Sequence, residues 1–170
     1  MKDGFLKVAV ATPEIKVADC RFNKEQLLKK AVEMDKRGVK LLAFPELSLT
    51  GYTCGDLFWQ ETLLNGAEEA LYEYVEETKE LDLVSVLGMP LVHQGSLYNV
   101  AVVVDHGVIR GIVPKTYLTD AEKRWFVSGA NLKETAAGLD VFGGSEFGFT
   151  SLGTDLLFEI GDGAVVGIEI

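Results

Sequence analysis

The chain has 170 residues, 48% of them apolar and 25% charged, with 16 Lys and Arg against 26 Asp and Glu, two Cys and two His. That length suits one domain able to bury a core without disulfide or metal staples, and the apolar content excludes an intrinsically disordered chain. A net charge of −10 argues against a broad phosphate-backbone contact, which Lys and Arg drive, so no nucleic-acid partner is expected.

Residues 5–11 are short and mostly apolar and read as a buried strand. Lys7 within this stretch and Asp3 before it argue against a secretion signal. After Pro13 a helix is expected over 23–37, with Leu27, Leu28, Ala31, Val32 and Met34 mostly on one stripe and Gly38 as its stop. Residues 39–44 read as a second buried strand ending at Pro45. Strand, helix and strand in this order favour parallel pairing with the helix on one face. A loop over 46–55 leads to a short helix near Asp56 and a longer one over 67–81.

The apolar face of that longer helix carries Ala67, Ala70, Leu71, Tyr74, Val75 and Leu81. Its other face carries Glu68, Glu69, Glu73, Glu76, Glu77 and Glu80, read as a solvated face, since carboxylates spread along a helix do not converge on a cation. From residue 83 the pattern turns to strands, over 83–89, 97–105, 108–113, 155–160 and 164–170. His106-Gly107 and Gly161-Asp162-Gly163 are the hairpin turns, and Gly143-Gly144-Ser145 marks another turn. The whole reads as a β-rich mixed α/β domain. No apolar run approaches the roughly 18 residues of a membrane span, so a soluble, cytoplasmic chain without a membrane partner is expected.

Three segments can carry chemistry. In Phe44-Pro45-Glu46-Leu47-Ser48-Leu49-Thr50-Gly51-Tyr52, Glu46 lies just past a buried strand, where Phe44, Leu47 and Leu49 would shield it from water. That setting suits a general base, and an acidic strand cap or salt-bridge partner is the alternative. In Gly111-Ile112-Val113-Pro114-Lys115-Thr116-Tyr117, Lys115 could set its ammonium against developing negative charge, or simply be solvated. A phosphate loop fails there, because Walker-type loops need Gly directly before Lys and Pro114 has no N–H to offer. The third segment is 161–170, a turn and an apolar strand still running at Ile170, which reads as a sign of truncation. Cys20 and Cys54 form no framework, and with His93 and His106 they make no metal-binding pattern, so no metal is expected.

Taken together and in this order, these segments resemble the nitrilase, or carbon–nitrogen hydrolase, superfamily, whose α-β-β-α sandwich carries a Glu–Lys–Cys triad. Glu46 matches the Glu position and Lys115 the Lys position. Val166-Gly167-Ile168-Glu169-Ile170 matches the stretch leading into the nucleophile, which would be the next residue; the sandwich would then be incomplete at the C-terminus. Within the superfamily, four segments resemble the N-terminal glutaminase domains of glutamine-dependent NAD synthetases. They are the stretches 16–23, 50–58, 113–118 and Glu122-Lys123-Arg124-Trp125-Phe126. One departure stands out: only Thr119, Asp120 and Ala121 separate Leu118 from Glu122, a shorter spacing than the family's, in a loop that contributes to glutamine binding there.

The resemblance implies that 1–170 is the N-terminal portion of one carbon–nitrogen hydrolase domain, ending just before the nucleophile, in which Glu46 is the general base and Lys115 stabilises the oxyanion. Glu122 would support Lys115, with a helix-start carboxylate as the equal alternative, and Trp125 and Phe126 would be core or interface anchors. Glutamine would be the substrate and a homo-oligomer the assembly. The glutaminase domain itself would need no cofactor. ATP and Mg2+ would serve a separate synthetase domain that makes NAD. Neither Cys20 nor Cys54 suits the nucleophile's place, so the 170 residues alone are expected to be inactive. The alternatives are a stand-alone amidase or carbamoylase and a non-catalytic assembly fragment.

Overall fold

In the computed structural model the structure describes residues 4–132, 136–139, 150–161 and 163–170. Two helices, α1 (Cys20–Lys36) and α2 (Glu61–Glu77), accompany strands β1 (Val8–Val10), β2 (Leu41–Ala43), β3 (Val84–His93), β4 (Ser96–Asp105), β5 (Val108–Pro114), β6 (Ala136–Leu139) and β7 (Thr150–Leu152). These strands form one sheet in the order β1-β2-β3-β4-β5-β7-β6, and β8 (Leu157–Ile160) and β9 (Ala164–Gly167) form a separate antiparallel hairpin. β1, β2 and β3 run parallel, as the strand–helix–strand order requires, and β3, β4 and β5 are antiparallel neighbours.

The period-two geometry of a strand divides the core. Val100, Val102 and Val104 of β4 join Leu42, Leu87 and Met89 against Leu27, Ala31, Ala67, Leu71 and Tyr74 of the helices. Ala101 and Val103 face the other way, and with Val84, Val86 and Val113 they meet Phe158 and Ile160 of the β8–β9 hairpin. Burial on both faces explains why residues 100–104 are continuously apolar. Helices, sheet and hairpin thus supply three layers of the expected sandwich.

Several boundaries depart from the sequence reading. Residues 5–11 do not form a buried strand: β1 is an edge strand, and Val8 and Val10 lie exposed. β9 is likewise half-exposed, alternating outward and inward rather than lying in the core. α2 begins at Glu61, six residues before 67, and ends at Glu77. Gly66 stays inside it against Cys20, because the penalty of about 1 kcal/mol for an internal glycine is small beside the packing of Leu63 and Ala67. The acidic row is not wholly solvated either. Glu73 and Glu77 reach the ammonium of Lys24 on α1 at 2.9 and 2.7 Å. Gln94 and Gly95, both at positive φ, close a β3–β4 hairpin of the same type as His106-Gly107. Gly143-Gly144-Ser145 lies outside the described residues.

Candidate active site

Glu46 leaves β2 on a path fixed by Pro45 and by Phe44 N–H donating to Val86 O at 3.0 Å. The chain then turns at once. Leu47 adopts φ +52°, a left-handed conformation uncommon for leucine, and Gly51 N–H closes onto Leu47 O at 2.7 Å. Leu47 and Leu49 are fully buried and pin the turn from below. The turn lies directly on β3, where Ser48 Oγ accepts from Gly88 N at 3.1 Å and Leu49 N donates to Gly88 O at 3.1 Å. A Cβ at Gly88 would stand 2.2 Å from Leu47 N, so no larger residue fits. Buried Asn23 completes the clamp: its amide donates to Lys16 O and Leu49 O at 2.8 and 3.0 Å, and its Oδ1 accepts from Lys16 N at 2.8 Å.

Lys115 follows β5 and is held by its backbone, which donates to Asn99 O and accepts from Gly129 N, both at 2.8 Å. Its Nζ donates to Glu46 Oε1 and Oε2 at 2.7 and 2.8 Å and to Glu122 Oε1 at 2.9 Å. The other oxygen of Glu122 accepts from the backbone N–H and the hydroxyl of Thr119 at 2.7 and 2.9 Å. Asn99 Nδ2 donates to Glu46 Oε2 at 3.0 Å. The structure therefore brings together all three predicted site residues, Glu46, Lys115 and Glu122.

Burial alone would lower the pKa of Lys115, but the bonds to Glu46 and Glu122 outweigh it and the net shift is upward. Burial would raise the pKa of Glu122, yet the Thr119 N–H, the Lys115 ammonium and the Thr119 hydroxyl together bring it down to about 2. The site is thus an ammonium between two carboxylates. Glu122 also opens a 3₁₀ turn, Glu122–Arg124, so its two readings are compatible. Phe126, four residues on, is buried with its ring 4.9 Å from that of Phe58, as expected of a core anchor, while Trp125 Nε1 donates to Asp56 at 3.3 Å. The short spacing before Glu122 is taken up by Thr119, whose carbonyl accepts from Lys123 N at 3.1 Å.

Glu46 is less enclosed than its neighbours suggested. Leu47 and Leu49 point into the core, and the Glu46 side chain stays 33% exposed. A cavity of about 500 Å³ lies between Pro114, Thr116 and Tyr117 on one side and Asp155, Glu169 and Ile170 on the other. Cys20 and Cys54 are buried and free, and their Sγ atoms bond to backbone carbonyls. Burial, with a contribution from Cys54, pushes the Cys20 thiol up to about 11, and burial raises that of Cys54. Neither thiol is placed or activated as a nucleophile. Among the described residues no three His, Cys, Asp or Glu come together where they could hold a metal, and no helix is long and apolar enough to cross a membrane.

The sequence reading missed Asn99, Thr119 and Gly88. The signal for Asn99 was present: it is a single amide at the head of the apolar run 100–104, and a polar residue inside a buried strand needs a partner.

A model of the carbon–nitrogen hydrolase family matches residues 7–157. The chain is 37% identical over 173 aligned residues to a glutamine-dependent NAD(+) synthetase of Mycobacterium tuberculosis, an alignment covering 98% of this chain and 24% of that protein. It thus spans about a quarter of the length of the curated relative. The crystal structure of a glutamine-dependent NAD(+) synthetase from Cytophaga hutchinsonii superposes with a TM-score of 0.83 at 26% identity, over 95% of this chain and 27% of the other. An amidase from Nesterenkonia sp., at 20% identity and TM-score 0.63 over 78% and 50% of the two chains, shares the fold.

Proposed function

The chain belongs to the carbon–nitrogen hydrolase family, and on that premise we propose that it is the domain of a glutamine-dependent NAD synthetase that hydrolyses glutamine and supplies ammonia. The observation that carries this reading is Lys115 held 2.7–2.9 Å from the carboxylates of Glu46 and Glu122 at one end of the sheet. The relatives' names support the substrate.

The nucleophile would be a cysteine directly after Ile170, at the rim of the cavity that Pro114 and Thr116 share with the chain's last residues. Glu46 takes the thiol proton, and the sulfur bonds to the side-chain amide carbon of glutamine. The ammonium of Lys115 meets the oxyanion of the tetrahedral intermediate, where a preorganised cation is worth most. Glu46 returns the proton to the leaving nitrogen as the C–N bond breaks, releasing ammonia and leaving a thioester. Water then gives a proton to Glu46 and adds to the thioester; the C–S bond breaks, the thiol regains its proton, and glutamate leaves. Glu122 keeps Lys115 charged and aimed. ATP and Mg2+ would serve a separate synthetase domain, in a cytoplasmic homo-oligomer.

A stand-alone amidase of a different small amide is the second reading, favoured by the short turn at Thr119 where the family has a longer glutamine-binding loop. The test is ammonia release by the full-length protein from glutamine and from small aliphatic amides. Glutamine should be preferred, with E46Q nearly inactive. Full activity in E46Q, or a residue other than Cys after Ile170, would sink the mechanism, and preference for another amide would favour the second reading.

A further inference from the structure

Lys115 is not the only group that holds Glu46. Asn99 lies in β4, opposite Pro90 of β3, and is fully buried. Its Nδ2 donates to Glu46 Oε2 at 3.0 Å, and its backbone carbonyl accepts from Lys115 N at 2.8 Å. One residue therefore touches both halves of the pair, one through its side chain and the other through its main chain. Its Oδ1 finds no hydrogen-bond partner among the described residues. An orphaned buried acceptor is unfavourable, and an apolar residue like the valines that follow it would avoid the penalty. Stability alone is a poor reason for an asparagine here.

We propose that Asn99 is a positioning residue that fixes the carboxylate of Glu46 in the orientation needed to receive the nucleophile's proton. Glu46 sits on a turn and stays partly exposed, so its own surroundings do not lock its rotamer. Lys115 restrains it only loosely: even with the ammonium held by Glu122, its rotatable N–H groups can follow the carboxylate through a range of orientations. An amide on a buried central strand has two torsions and a fixed base, which is the kind of rigid support a reacting group needs. It is also neutral, so it aims the carboxylate without adding a charge beside Lys115 and Glu122.

This rests on Glu46 being the general base, and the experiment separates the two claims. Amide hydrolysis is measured in the full-length protein for N99A, E46Q and the double variant, with melting temperature as the control on folding. N99A is expected to lower kcat about 10²-fold, as small misplacements of a reacting group do, and to leave KM within about twofold, because Asn99 touches no substrate. The double variant should be no slower than E46Q alone, since Asn99 acts only through Glu46. Unchanged kcat in N99A, or an additive loss in the double variant, overturns the proposal while leaving Glu46 in its role. Full activity in E46Q overturns both claims. If N99A does not fold, N99L, close in size, uncharged and lacking the N–H donors, should show the same loss. Failure of both to fold overturns the proposal too, for Asn99 would then belong to the fold and not to the site.

Discussion

Glu46 and Lys115 are 69 residues apart in the chain, and the ammonium of the second stands 2.7 and 2.8 Å from the two carboxylate oxygens of the first. Each sits just past a strand of one sheet, so the pairing of β2, β3, β4 and β5 delivers both to the same end of it. Glu122 then doubles the negative charge around Lys115 and is itself almost wholly buried. The cluster carries a net charge of −1 and depends on its one cation.

Replacing Lys115 with Met keeps the length and removes that cation. Glu122 would be left buried without a cation, and a buried carboxylate without its partner costs about 3 kcal/mol. K115M should therefore melt lower and lose at least about 10²-fold in kcat. Adding E122Q removes the stranded charge, so K115M/E122Q should recover most of the melting temperature and none of the activity. Calorimetry and an ammonia-release assay on the same preparations check both halves.

The depressed pKa of Glu122 gives a pH signature. Its folded value near 2 lies below its ordinary 4.5, so the carboxylate stabilises the fold above pH 4.5, and that contribution fades as pH falls toward 2. E122Q should be less stable than the parent at pH 7 by about 3 kcal/mol. The gap should narrow steadily between pH 4.5 and 2. Denaturant unfolding across that range measures it, and a gap independent of pH would remove the ion pair as its cause.

Gly88 tests whether the Glu46 turn must lie flat on β3. The methyl of G88A would meet backbone atoms of Pro45, Glu46 and Leu47, none of which can rotate away. Overpacking of this kind costs about 1–3 kcal/mol. The turn is the softer partner and should move, taking Glu46 with it. Activity should fall by more than the loss of folded protein explains, whereas equal losses would mean that the strand yields instead.

Asn23 anchors the same turn from the helix side, bonding both polar groups of Lys16 and the carbonyl of Leu49. N23A would leave these partly buried backbone groups without partners, at about 2–4 kcal/mol in total. A fall in melting temperature of about 5–10 °C is expected for a domain of this size. N23D keeps an acceptor for Lys16 N and should fall between the two.

Much of this site was legible in the residues. A carboxylate behind Pro45 and a lysine behind Pro114 could be placed at strand ends because apolar runs and prolines mark where strands stop. Asn99 could be marked as a polar residue in a buried run, but not its partner, which depends on which strand lies beside the Glu46 turn, and pairing is not a local property. The extra turns of α2 escaped for a similar reason. Gly66 opposes a helix locally, and only the packing of Leu63 and Ala67 outweighs it. Residues 5–11 look as apolar as a core strand, but β1 is the edge of the sheet, where Leu6, Ala9 and Ala11 are only partly buried and Val8 and Val10 are exposed.

By itself the sequence determined which groups are present and where the strands deliver them: an acid after β2, a lysine after β5 and a second acid seven residues later. Hydrophobic periodicity and turn chemistry act over a few residues, so they can be read along the chain. Only the tertiary structure decided that one ammonium is shared by two carboxylates, that Asn99 touches both members of the pair, and that Cys20 and Cys54 are sealed away from it. Those are distances of a few ångströms between residues far apart in the chain, set by the packing of the sheet and helices.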